Sequence, residues 1–275
     1  MTVRPVWFVA VIGLGTGCEQ VGQFLPKVRF DGLDVRTIDW EEADVDFVFA
    51  IDNPNPVSIG LASFSYDLNL EEVDFLSGDN PDGFQLKAEG SAPLVLPLDL
   101  RYADIWNTIE ATRGEDVVDF LLSGGMGFDT PAGNIQLPYN EDGGFPALRT
   151  PKFTFQAVRV NARRGFGVVD VEVDLGVDNE HGSSLFFDAF DYGLSLNDKR
   201  VANGIVDTFS VDGATTGTVT LPIALDLLTA GTELFDVLIS GGRVDLGLDA
   251  TVDVDTPFGI VPLSIDETGN LKVEL

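Results

Sequence analysis

From Val169 to Asp178 the chain alternates strictly: Val169, Val171, Val173, Leu175 and Val177 are aliphatic, while Asp170, Glu172, Asp174, Gly176 and Asp178 stand between them. A period of two sends the aliphatic set to one face of an extended segment and the carboxylates to the other, which predicts a strand with one buried face. Val45, Phe47, Phe49 and Ile51 hold the same phase against Asp44, Asp46 and Asp52. Val48 and Ala50 interrupt that polar face and predict partial cover over it. Further β-branched runs are punctuated every ten or so residues by Gly, Pro, Asn-Pro or Asp-Gly, the pattern of strands joined by turns. One buried face per strand and frequent turns predict antiparallel sandwiches rather than a parallel α/β sheet. Two segments depart from this period. Ile105, Trp106 and Ile109 give Tyr102–Glu110 an apolar helical face, and Ala224–Val237 reads as a second short helix weakened by Gly231. Each is expected to cover one open end of its sandwich.

The pattern occurs twice. Pro26-Lys27-Val28-Arg29-Phe30 returns as Pro151-Lys152-Phe153-Thr154-Phe155, and Asp44–Asn53 returns as Asp170–Asn179, at an offset of about 125 residues. Phe64–Leu68 returns as Phe190–Leu194, Leu96-Pro97-Leu98 as Leu221-Pro222-Ile223, and Asp129-Thr130-Pro131 as Asp255-Thr256-Pro257. The reading is therefore two tandem domains, 28–145 and 146–275, behind a signal at 1–18 and a tether at 19–27. Asn140-Glu141-Asp142-Gly143-Gly144 reads as a turn near the boundary, and Gly124-Gly125-Met126-Gly127 as a hairpin turn.

Charge changes the functional picture more than the structural one. The 275 residues carry 45 acidic and 16 basic side chains, a formal net charge of −29. Such a chain repels a phosphate backbone and has no basic stripe, so nucleic acid is not an expected partner. The plain reading of the acids is solvation of an exported protein. At the N-terminus, Arg4 precedes the apolar run Val6–Leu14, and the small residues Gly15, Thr16 and Gly17 lead to Cys18, the sole cysteine. The run is too short to span a bilayer and has the order of a secretory signal. It resembles the bacterial lipoprotein signal, in which the cysteine is acylated and becomes the first residue. The departure is Gly15, where an aliphatic residue is usual; Leu14 lies one place too early. The expectation is an exported protein anchored to a membrane through Cys18, at the periplasmic face of the inner or outer membrane or at the cell surface. Ordinary signal cleavage and a retained N-terminal stretch are the alternatives.

Asp52-Asn53-Pro54-Asn55-Pro56, followed by Val57, Ile59, Leu61, Phe64, Tyr66 and Leu68, resembles the WHy domain of late embryogenesis abundant (LEA) type 2 proteins. The resemblance continues through Leu94–Leu98, Phe120–Gly125 and Gly133–Pro138, and the repeat extends it to 153–264. Each proline lacks an N–H and pushes its predecessor to extended angles, so the tetrad Asn53, Pro54, Asn55, Pro56 ends a strand in a turn. The second copy carries Asn179-Glu180-His181-Gly182 there, without proline. The resemblance implies fibronectin- or immunoglobulin-like β-sandwiches, no catalytic residues, and an association with desiccation, cold or other water stress. It also admits contact with lipid.

Chemistry is sparse. His181 is the only histidine, which starves mechanisms that need an imidazole base or a histidine ligand cluster. No Gly-x-Ser-x-Gly, His-Glu-x-x-His, phosphate-cradling or dinucleotide motif occurs, so neither catalysis nor a cofactor is expected. His181 is expected as an exposed turn residue. Asp79 and Asp82 in one acidic turn, and Glu141 and Asp142 in another, are weak calcium candidates without EF-hand spacing. The function expected is a non-enzymatic, stress-protective lipoprotein, or else a module binding a lipid, an apolar ligand or a protein partner, the last by pairing at an exposed strand edge.

Overall fold

The computed structural model describes residues 25–80, 84–109, 114–131, 133–164, 168–226 and 231–275. Cys18 with its signal, most of the tether and Asp82 lie outside these residues. The chain divides into two compact units. One runs to Ile38 and includes Glu42–Glu110 and Val117–Ala147; the other is Leu148–Leu275 with Asp39–Glu41 and the stretch ending at Asp116.

The first unit is a sandwich of two antiparallel sheets. β1 (Lys27–Ile38), β2 (Glu42–Asp52) and β6 (Ser91–Arg101) form one, in the order β1-β2-β6. β3 (Ile59–Leu70), β4 (Val73–Asn80), β7 (Val117–Thr130) and β8 (Gly133–Pro146) form the other, in the order β4-β3-β7-β8, with β5 (Gln85–Leu86) beside β3. The alternation of β2 decides what meets between them. Phe47 packs edge-on against Phe120 of β7 at 5.0 Å, and Phe49 against Tyr139 of β8 at 5.1 Å. Val45, Phe47, Phe49 and Ile51 are fully buried, and Ala50 is covered as its interruption of the polar face predicts.

The second unit repeats this order with β9 (Lys152–Arg164), β10 (Val168–Asp178) and β15 (Thr216–Asp226) on one side. β13 (Lys199–Val206), β12 (Phe190–Leu196), β16 (Arg243–Thr256) and β17 (Gly259–Glu274) lie on the other. β11 (Leu185–Phe187) pairs with β16 and with β14 (Phe209–Val211). The burial patterns of β2 and β10 are identical position for position. A two-residue parallel pairing of Val273 and Glu274 with Val158 and Arg159 joins the two sheets along one edge, a feature of this unit.

The helices are shorter than predicted. α1 spans Tyr102–Thr108 and buries Tyr102 and Ile105. α2 spans Thr232–Ser240, not Ala224–Val237: Ala224, Leu225 and Asp226 belong to β15, where Leu225 opposite Val169 continues the buried face. Gly231, at φ 76°, immediately precedes α2, and Leu234 and Leu238 of its face enter the second core.

Two predicted turns are strand interiors. Gly124–Gly127 lies within β7, where glycine permits close approach: a Cβ on Gly124 would strike the Ser65 carbonyl oxygen and come within 2.6 Å of the Tyr139 hydroxyl, which itself donates to that carbonyl at 2.8 Å. Asn140–Gly144 lies within β8, paired with β7 along its full length, and Gly143 makes room for the Phe120 ring. Neighbouring strand residues face opposite ways, so Glu141 and Asp142 do not converge on one cation. Among the described residues no group of three or more His, Cys, Asp or Glu could hold a metal ion, and no helix is long and apolar enough to cross a membrane.

Candidate functional site: a buried asparagine turn in each repeat

Asn53 closes β2 in the first unit. Its side chain is 2% exposed and spans three segments: Nδ2 donates to the carbonyls of Val57 (3.0 Å) and Lys87 (2.8 Å), while Oδ1 accepts from the Asn55 N–H (2.9 Å). The Asn53 N–H donates to Gly90 O, and the Glu89 N–H to Asn55 O. Pro54 and Pro56 supply no competing donors and preset the extended backbone, so the turn forms around the amide. Asn55 is buried beside it, with Nδ2 2.9 Å from Asn53 Oδ1. Of the predicted tetrad, the two asparagines are the buried members, and the prolines shape the chain around them.

Asn179 does the same work in the second unit. Nδ2 donates to the carbonyls of Ser183 (2.9 Å), Val211 (3.1 Å) and Asp212 (3.2 Å), and Oδ1 accepts from the His181 N–H (3.0 Å). Its N–H donates to Thr215 O, and the Ala214 N–H to His181 O, matching the first repeat bond for bond. Glu89 (φ 49°) and Ala214 (φ 55°) even share the left-handed backbone that turns each partner loop. The turn therefore survives without proline because the asparagine, not the proline, closes it.

His181 stands where the first repeat has Asn55, and the expectation of an exposed turn residue is corrected: it is fully buried. Three segments of the same unit enclose it. Nε2 lies 2.9 Å from both the N–H and the carbonyl oxygen of Arg149, and Nδ1 lies 3.2 Å from Asp116 Oδ1, so both ring nitrogens are engaged. Trp40 packs at 6.4 Å between ring centres. Asp116 also accepts from the Gly182 N–H (2.7 Å) and the Ser183 hydroxyl (2.5 Å), and the Gly114 N–H donates to Glu180 O (2.9 Å). A Cβ on Gly182 would collide with the Gly114 carbonyl, so glycine replaces the first repeat's Pro56 to admit this strap. Burial holds the imidazole below its ordinary pKa, against the opposing pull of Arg149 O and Asp116. Glu180, beside Lys152 at 2.6 Å and Arg149 at 3.7 Å, is held below the usual carboxylate range, chiefly by the lysine's hydrogen bond.

Asp116, His181 and Ser183 are the residue types of a hydrolase triad, but their connectivity is wrong for it. Ser183 donates to Asp116 rather than to the imidazole, and Nε2 is occupied by the backbone of Arg149. The trio fastens chain segments; it does not activate a nucleophile. Sequence reasoning missed Asp116, Arg149 and Trp40, which carry no local signal. It also missed a repeated pair that was visible: Tyr66 lies over Gly78, and Tyr192 over Gly204, each pair directly opposite across two strands.

These features define a class: tandem antiparallel β-sandwiches, each closed at one turn by a buried asparagine. A family model described as late embryogenesis abundant protein (LEA_2) matches residues 48–143 and 174–269, one match per repeat, and the chain belongs to that family. It is similar to a desiccation-related protein of Arabidopsis thaliana, 26% identical over 127 residues, which are 45% of this chain and 76% of the relative. It is also similar to the late embryogenesis abundant protein Lea14-A of Gossypium hirsutum, 24% identical over 119 residues, covering 43% and 79%. A solution structure of a late embryogenesis abundant protein from Arabidopsis thaliana aligns with 48% of this chain and 78% of its own at 25% identity, with a TM-score of 0.40.

Proposed function

We propose that this LEA-type protein acts without catalysis, as an exported stress protectant held at a membrane surface through Cys18. The observation that carries the reading is the pairing of two LEA repeats with strands that turn exposed carboxylates outward, as β16 does with Asp245, Asp249, Asp253 and Asp255. A dense layer of ionised groups binds water strongly and keeps neighbouring molecules apart as solvent is withdrawn. The printed description of the Arabidopsis relative as desiccation-related supports the same direction. The tied-down imidazole supports the absence of general-base chemistry. Cys18, after Gly15-Thr16-Gly17, supplies the anchor in this reading.

Two experiments test it. Metabolic labelling with an acyl chain is expected to mark the wild type and not Cys18→Ala. Deleting residues 19–275 is expected to lower survival after drying, freezing or osmotic shock, and unchanged survival under all three rejects the protective role. A binding role is the second reading, favoured by exposed apolar residues in the second repeat.

A further inference from the structure

We propose that the outward face of β11, β16 and β17, at the β16–β17 hairpin end, docks a cationic and apolar polypeptide segment. The proposal is independent of anchoring and of protection. It rests on a difference between the repeats. Phe186 pairs with Asp255, and Asp255 with Ile260, so the three stand side by side on one face. Phe186 is 55% exposed and Ile260 66%. The corresponding row of the first repeat is Gly60, Asp129 and Asn134. There Asn134 donates to Asp129 at 3.1 Å, so the carboxylate has an internal partner and small or polar flanks. Ile260 has no donor to offer. Among the described residues Asp255 has no side-chain hydrogen bond or ion pair. The adjoining row, Asp253 opposite Pro262, is exposed as well.

The second repeat has thus exchanged a self-satisfied polar row for two apolar walls with a carboxylate between them. The walls are two strand spacings apart, about 10 Å. That gap suits one lysine or arginine, whose alkyl stem rests on Phe186 and Ile260 while its charged head meets Asp255. Flanking apolar side chains of the partner would cover the walls. An anionic headgroup or a nucleic acid would face Asp253 and Asp255 and be repelled. A neutral bilayer would strip water from the same carboxylates without pairing them.

Because the whole chain carries −29, a test must separate this row from general attraction of cations. Fluorescence anisotropy with the full chain would compare a labelled lysine–leucine alternating peptide with a lysine–serine peptide of equal length and charge. The leucine peptide is expected to bind at least about tenfold more tightly. Phe186→Gly/Ile260→Asn, which installs the first repeat's residues, and Phe186→Thr/Ile260→Thr, which keeps strand-forming side chains, are each expected to remove that preference. Asp255→Asn is expected to weaken binding several-fold and Asp129→Asn to leave it unchanged. Equal affinity for the two peptides, or a preference that persists in both double variants, overturns the proposal, as does equal weakening by the two asparagine substitutions. Should the variants fold poorly, amide shifts of the wild type on adding the leucine peptide decide the matter. They are expected at 186, 253–255 and 260, and shifts confined to other residues overturn it.

Discussion

Asn53 and Asn179 each hold carbonyls from two or more segments with a single amide, so replacing either by alanine leaves those carbonyls and one N–H without partners. Asn53→Ala and Asn179→Ala are each expected to cost about 2–4 kcal/mol, read by urea denaturation, given about 1–3 kcal/mol for each buried unsatisfied group. Hydrogen exchange is expected to rise in the unit that carries the substitution; equal loss of protection in both units would contradict the assignment. His181 adds a pH dependence. Its folded pKa is lowered by burial, so below an unfolded value near 6.5 the unfolded chain takes up a proton that the folded chain refuses. The stability it supports is present in full above about pH 6.5 and falls as pH drops below it, by at most about 1.4 kcal/mol per pH unit. His181→Asn, which copies Asn55, is expected to flatten the melting temperature between pH 7 and pH 5.5. An undiminished slope in that variant would place the proton uptake elsewhere.

At the scale of elements, glycine allows strands to approach or rings to lie flat, and the neighbour decides what a methyl group costs. On Gly124 a Cβ meets the backbone carbonyl of Ser65, which belongs to the paired strand β3 and cannot move alone. On Gly143 it meets the far edge of the Phe120 ring at 2.8 Å, a side chain rather than backbone. Gly124→Ala is therefore expected to destabilise by about 3 kcal/mol and Gly143→Ala by about 1 kcal/mol, compared by denaturant titration. The same distinction explains which turns were legible beforehand. Asn53–Pro56 was readable because its proline pair acts on the local backbone. Gly124–Gly127 and Asn140–Gly144 were not, because glycine marks a turn and a close strand contact with the same letter. The helix read at Ala224–Val237 failed for a related reason: Ala224 and Leu225 suit either element, and pairing with Asp170 and Val169 of β10 settled the choice.

For the whole molecule, 45 acids against 16 bases make self-repulsion the dominant long-range electrostatic effect. Ion pairs such as Arg200–Asp249 and Arg29–Asp31 are exposed and contribute little. Raising salt from 10 mM to 0.5 M shortens the screening length from about 30 Å to a few ångströms. The melting temperature, read by circular dichroism, is expected to rise over that range. A fall would show that short-range pairs outweigh the net charge.

Strand periodicity, the duplication and the place of the asparagine turns are properties of neighbouring residues, since a strand's two faces are written in alternate positions and a turn in four consecutive ones. The amino-acid sequence alone therefore determined the all-β class, the paired repeats and the core residues of β2 and β10. What covers a turn depends on chain brought from far away. Asp116 reaches His181 across 65 residues of sequence, and Arg149 across 32. Nothing local to His181 announces either partner. Packing alone turned that histidine inward, put Ile260 beside a carboxylate that its counterpart's Asn134 would have satisfied, and so made two similar repeats present different surfaces.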